Sequence, residues 1–236
     1  MTIGLVAAMP AELKCLNGRT YSLNQPFKIS DRLLAIISGI GANHAKRATE
    51  LLQYHKVNGI ISWGVAASLS KADPGDLLLP ETVISKNGRQ FQTDRAWREQ
   101  LIAQLQNIPG RIHTEPMTET RLILESVQQK QSLYNETGAI AADMESATIA
   151  RVAVDNHLPC LVVRTVADHY DQVLPYAITR HTDVYGNPNI TKILVEVLLK
   201  PRLLPQAMQL ARAMNKALAT LKIVARQGHN ALDTFY

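Results

Sequence analysis

Two hydrophobic periods alternate along this chain. Runs that are apolar at nearly every position, Ile3 to Ala8, Leu33 to Ser38, Gly59 to Gly64, Leu77 to Pro80 and Cys160 to Ala167, are bounded by glycine or polar residues. Such runs predict short strands buried on both faces. Between them the apolar positions recur every three to four residues. In Ala42 to His55 the residues Ala45, Ala48, Leu51 and Leu52 form one stripe, and Met144 to Asn156 predicts a second helix. Alternation of this kind predicts an α/β fold. Strands apolar on both faces need helices on both faces, so the expected architecture is a three-layer α-β-α sandwich.

From Ile190 the pattern becomes helical throughout. Pro201 and Pro205 separate a segment from Ile193 to Leu199 from a long helix that begins near Gln206. Met208, Ala211, Met214 or Asn215, Leu218 and Leu221 are expected on its apolar face, with Arg212, Lys216, Lys222 and Arg226 supplying charge. The reading is therefore a unit of residues 1–189 and a C-terminal helical extension of residues 190–236 packed on the same domain. A basic amphipathic helix of this kind either buries its stripe against its own domain or a second subunit, or faces a lipid surface.

Charge sharpens that picture. Residues 191–236 hold seven Lys or Arg against Glu196 and Asp233, which accounts for the whole net charge of +5. The chain has only three Phe and no interleaving of basic and aromatic residues, so the excess does not point to nucleic acid. The 236 residues suffice for one well-packed domain. No apolar run reaches the roughly 18 to 20 residues of a spanning helix. The opening MTIGLVAAMP lacks a basic residue before its apolar stretch and is broken by Pro10, so it reads as a first strand rather than a leader. Cys15 and Cys160 form no CxxC pair, which fits a reducing cytoplasm. The seven histidines show no ligand spacing, so no metal is expected, and His169 draws attention only because it follows Asp168.

Chemistry in sheets of this class gathers beyond the carboxyl ends of the strands. Met9, Pro10, Ala11 and Glu12 follow the first strand; Ser38, Gly39, Ile40 and Gly41 follow the second; Arg164 to Asp168 close the late strand. The string from Ala142 to Ala147, with Met144 and Glu145 inside it, stands before the second predicted helix. On residues alone, Glu12 reads as an exposed first-turn carboxylate, Glu145 as a solvated helix residue, Asp168 as a turn cap, and the Ser38 to Gly41 turn as a tight strand-to-helix connection.

Taken together these strings resemble the superfamily of nucleoside phosphorylases and methylthioadenosine/S-adenosylhomocysteine nucleosidases. Residues 3–9 with Glu12 resemble the nucleosidase opening, residues 38–41 the next loop, and Trp63 to Ala67 followed by Pro74-Gly75-Asp76 fall in the family's order. Residues 142–147 resemble its ExEA signature and residues 162–168 its VxRxxSD string. The likeness spans about residues 1–170 and implies a mixed central sheet and cleavage of the bond between a purine and its ribose. It assigns Asp168 as the acid that protonates the purine, Glu145 as the carboxylate that grips the ribose hydroxyls, and Glu12 as the base that activates water. Arg164 would hold the nucleophile or fix a carboxylate, and Met144 would pack on the sugar. Met9, Ile40, Gly41, Val65 and Ala66 complete the implied substrate contacts, and Leu122 and Ile123 are the nearest residues for the purine. Asp143 is expected to be structural.

Two positions depart from the family pattern. Val65 stands where many relatives carry a hydroxyl that helps bind phosphate or ribose, and Ala167 replaces the serine that orients the catalytic acid. No cofactor is implied; phosphate stays open as a co-substrate, although Glu12 and Val65 favour water. Asp171 to Pro175 and the C-terminal tail resemble the hopanoid-associated phosphorylase group, which implies release of adenine from adenosylhopane. The expected partners are then a lipid-linked purine nucleoside, a second copy of the chain in a homo-oligomer, and the inner membrane surface approached from the cytoplasm by the basic helix. An enzyme acting on small nucleosides such as methylthioadenosine, and a nonenzymatic nucleoside-binding protein, are the alternatives.

Overall fold

The computed structural model describes residues 1–187, 189, 192, 199–200 and 202–234. The amino-terminal half runs β1 (Ile3–Ala7), α1 (Pro10–Asn17), β2 (Phe27–Lys28), β3 (Leu33–Ile37), α2 (Ala42–Tyr54) and β4 (Gly59–Ser68). Short elements follow: β5 (Leu77–Leu78), β6 (Thr82–Ile84), β7 (Gln90–Gln92), α3 (Arg95–Gln104), β8 (Ile112–His113) and β9 (Met117–Glu119). The chain continues through α4 (Val127–Thr137), β10 (Ala141–Asp143), α5 (Ser146–Asp155), β11 (Cys160–Asp168), the single turn α6 (Tyr176–Thr179), α7 (Leu203–Gln227) and α8 (His229–Asp233).

The sheet is mixed, and it forks at β4. On one side β11 runs parallel to β4 over most of its length. On the other, β1 pairs with β4 in parallel only as far as Trp63, and β10 takes over antiparallel at Ala67 and Ser68. Gly64 to Ala66 therefore have no strand partner on that edge. A backbone N–H cannot be left buried and unmatched without a cost of about 1–3 kcal/mol, so something else must occupy the fork.

Side chains alternate along the buried strands and feed two cores, one on each face. Ile3, Leu5 and Ala7 of β1 join Leu13 of α1, Leu161 and Val163 of β11, and Leu221 and Val224 of α7. Val6 points the other way, to Ala45, Ala48 and Leu52 of α2 and to Ala147, Ala150 and Ala153 of α5. Helices thus cover both faces, as strands apolar on both sides require.

The strand at Gly59 runs four residues further than its apolar pattern, through Gly64 to Ser68. The apolar stripe of the long helix is also rotated from the expected one. Its buried face is Ala213, Ala217, Thr220, Leu221, Val224 and Ala225, and Met208 is exposed. Small residues decide the seam: Ala217 lets the helix backbone approach β11 closely enough for Thr165 Oγ1 to donate to the Ala217 carbonyl at 3.1 Å. Ranking residues by hydrophobic size misses a contact made by alanines. The expected boundary at residue 190, Pro201 and the helix expected at 193–199 fall outside the described residues, Leu199 excepted.

Candidate active site

Glu12 occupies the fork. It is the third residue of α1, and its carboxylate turns back to accept from the Met9 N–H at 2.8 Å and from the Val65 N–H at 3.0 Å. The second bond satisfies the unpaired edge of β4. Far from an exposed first-turn residue, Glu12 is 1% exposed. Burial pushes its carboxyl above the usual range, opposed by the Arg164 guanidinium and by the amides it accepts from.

Arg164 enters from β11, fully buried beneath the pocket floor. Nη2 pairs with Asp143 at 2.8 Å and stands 3.7 Å from Glu145. Nη2 also donates to Ser62 Oγ at 2.9 Å and Nε to Ser146 Oγ at 3.1 Å. Nη1 is buried without a hydrogen-bond partner among the described residues. Burial alone would weaken the cation, but Asp143, Glu145 and Glu12 more than offset it. Gly64 is what admits this arrangement: a Cβ there would overlap both Arg164 Nη1 and Glu12 Oε1.

Glu145 sits where β10 hands over to α5, and the Gly41 N–H donates to its Oε1 at 2.7 Å. Gly41 has φ of 103°, which glycine adopts freely, so the predicted turn reaches the site through its backbone. Asp143 also contacts the Ser146 hydroxyl and accepts from the Ser146 N–H at 3.1 Å. Burial, followed by the neighbouring Asp143, pushes Glu145 up to about 8. A carboxyl raised in the folded state contributes stability that is complete below its unfolded value of 4.5 and is lost as pH climbs through 8. Thermal melts should therefore show a fall in Tm between pH 5 and 8 that Glu145→Gln flattens. An equal slope in the variant would remove Glu145 from the explanation.

Asp168 ends β11. The register against β4 slips between Val166 and Asp168, so the bulge re-aims this side chain at the pocket. Its Oδ2 pairs with Lys130, a fully buried residue of α4. The position is fixed by a capping box in which Gln129 N–H donates to Ser126 Oγ at 3.2 Å and Ser126 N–H to Gln129 Oε1 at 3.0 Å. The Lys130 ammonium also donates to the carbonyls of His169 at 2.7 Å and Gln172 at 3.2 Å. Burial pushes Asp168 above the usual carboxylate range, and Lys130 pulls it back.

These groups border one cavity of about 550 Å³. Glu12, Asp143, Glu145 and Asp168 line its floor, with Met9, Ile40, Val65, Ala66 and Met144 around them. Leu122, Ile123 and Leu124 form one wall; Ala207, Leu210, Ala211 and Met214 of α7 form another. Arg164, expected at the ligand, does not line the cavity; it acts from below. His169 is engaged by Asp171 and, at 3.3 Å, by Asp73. Among the described residues, no group of three or more His, Cys, Asp or Glu side chains is placed to hold a metal ion, and no helix is long and apolar enough to cross a membrane.

The family model described as Phosphorylase superfamily matches residues 2–198. The chain belongs to the phosphorylase superfamily. A 5'-methylthioadenosine/S-adenosylhomocysteine nucleosidase from Buchnera aphidicola subsp. Baizongia pistaciae is 26% identical over 203 residues, 72% of this chain and 79% of that one. Among solved structures, the nucleosidase of that name from Neisseria meningitidis, in complex with methylthio-immucillin-A, superposes with a TM-score of 0.69 at 17% identity, covering 95% of this chain and 96% of that one. Futalosine hydrolase of Helicobacter pylori strain 26695 gives 0.68 at 17% identity, covering 96% and 97%. At such identity the structural likeness is one of superfamily fold.

Sequence reasoning missed the wall residues Leu124, Ala207 and Leu210 and, among the charged groups, Lys130. Its signal was faint: a lysine five residues past Glu125 in a polar helix reads as solvated.

Proposed function

We propose that this phosphorylase-superfamily chain hydrolyses the N-glycosidic bond of an adenine nucleoside whose ribose carries a large apolar group, with adenosylhopane as substrate. One observation carries the reading. A cavity with a carboxyl-rich floor continues along a wall of α7 made only of Ala207, Leu210, Ala211 and Met214. The floor suits a sugar and base, whereas the α7 wall offers nothing for a polar substituent to bond. The relatives support the chemistry, since both the curated relative and the two solved neighbours are named as nucleosidases or hydrolases.

In this reading the bond from the anomeric carbon to the base breaks and its electron pair leaves with the purine. Asp168, held high by burial, gives a proton to the purine ring nitrogen. Glu12 takes a proton from the water that attacks the anomeric carbon. Glu145 faces the sugar, and its negative charge is costly because it is buried and because Asp143 lies beside it. It gains most when the ribose turns cationic, which is the differential stabilisation that accelerates a reaction. Water is the favoured acceptor for an electrostatic reason. Arg164 and Lys130 are engaged by Asp143 and Asp168 and neither lines the cavity, so among the described residues no cation faces the space a phosphate dianion would fill.

The test is release of adenine from adenosylhopane in detergent, with and without phosphate, beside adenosine and methylthioadenosine. Phosphate-independent release from the hopanoid is expected to exceed that from either small nucleoside. Ala211→Phe, which fills the α7 side, should raise KM for the hopanoid and leave adenosine little changed. Release from small nucleosides alone would replace this reading with a methylthioadenosine-type nucleosidase.

A further inference from the structure

The residue before the acid is Ala167, whose methyl can bond nothing. Asp168 is nevertheless not left to itself. Lys130 is 0% exposed, and its ammonium meets three acceptors: Asp168 Oδ2 and the carbonyls of His169 and Gln172. An ammonium has three protons to donate, so its capacity is matched. α4 otherwise turns polar residues to solvent, and Lys130 is its one buried side chain. Burying a lysine in a helix that has exposed positions to spare costs several kcal/mol unless the partner repays it. The partner here is the residue assigned to protonate the leaving base.

We propose that Lys130 is the positioning residue for Asp168, clamping Oδ2 and the turn that follows so that Oδ1 is presented to the purine. The proposal rests on the hydrolytic reading given above. It assigns the orienting task to a cation, and a cation brings a second effect. A positive charge in contact favours the ionised carboxylate, so Lys130 sets the pH above which the acid has lost its proton. Other titratable groups around Asp168 are His169, the carboxylates of Asp171 and Asp73 that hold its ring, and Glu12, Asp143 and Glu145 lining the same cavity. Opposite Asp168 on β4 stands Ala67, which carries no charge.

The test compares wild type with Lys130→Met, Lys130→Gln, Asp168→Asn and the Lys130→Met/Asp168→Asn double variant, using a purine nucleoside and a 4-nitrophenyl riboside. The nitrophenolate leaves without needing a proton. Lys130→Met is expected to lower kcat on the nucleoside roughly 10- to 100-fold, a part of what a well-placed acid contributes. KM should hold, and the alkaline limb should move up by about one pH unit. The nitrophenyl riboside should be spared, and the double variant should be no slower than Asp168→Asn. Lys130→Gln, which keeps a donor for the two carbonyls, guards against a folding defect and should show the same shifted limb.

An unmoved limb in a folded variant, or equal losses on both substrates, would overturn the proposal and leave Lys130 a structural residue. Titration of the Asp168 carboxyl by carbon NMR decides the matter without turnover, since Lys130→Met should move it upward. If wild type releases no base from any nucleoside, the hydrolytic reading fails. The NMR result then still reports whether Lys130 governs Asp168.

Discussion

Asp168→Asn should reduce adenine release by roughly a thousandfold, the middle of the range for a positioned general acid. The amide keeps the shape of the carboxyl and an oxygen for Lys130, but it has no proton to give. The same change removes the carboxylate paired with a fully buried ammonium. Unfolding free energy should therefore drop by about 3 kcal/mol, the lower end for a broken buried pair, because the His169 and Gln172 carbonyls remain as acceptors. Thermal melts can separate the two effects. Adding Lys130→Met to Asp168→Asn should recover stability and no activity. Activity retained by folded Asp168→Asn would remove Asp168 from the chemistry.

Gly64→Ala should be nearly as damaging, though it adds a single methyl. The methyl would overlap Arg164 Nη1 and Glu12 Oε1. Neither can move cheaply. Glu12 is tied to the Met9 and Val65 amides, and Arg164 to Asp143, Ser62 and Ser146. A displacement of about 1 Å in a catalytic group costs on the order of 100-fold in rate, and overpacking a buried site costs about 1–3 kcal/mol. The expected result is a fall in kcat of at least that size with a modestly lower Tm. A variant with wild-type kcat would mean that Glu12 and Arg164 relax freely, and the proposed role of the fork in holding the base would be lost.

Much of this molecule was legible in its residues. Runs such as Ile3 to Ala8 and Cys160 to Ala167 are apolar throughout, and only a sheet covered on both faces buries them that way. The candidate carboxylates also surfaced early, because Glu12, Glu145 and Asp168 follow strand ends and match family strings. Elements of two or three residues, such as β2 and β8, carry too few positions to express a period. α4 was equally silent, since its charged and amide side chains predict a solvated surface and give no hint that Lys130 turns inward.

The alternation of apolar strands with helices, the double-faced burial and the membership of the phosphorylase superfamily were legible in the sequence alone, since local periodicity and short strings suffice for them. Tertiary structure alone decided that Glu12 fills the gap between β1 and β10 on the edge of β4. The same holds for Arg164, which lies below the cavity rather than in it, and for the α7 seam made of alanines, with its pocket wall one stripe away. It also decided that a lysine from α4 holds the acid. The physical reason is common to all four: each depends on which unpaired amide, buried charge or small side chain meets which partner across long stretches of chain. That matching is settled only when the sheet forks and the helices close on it.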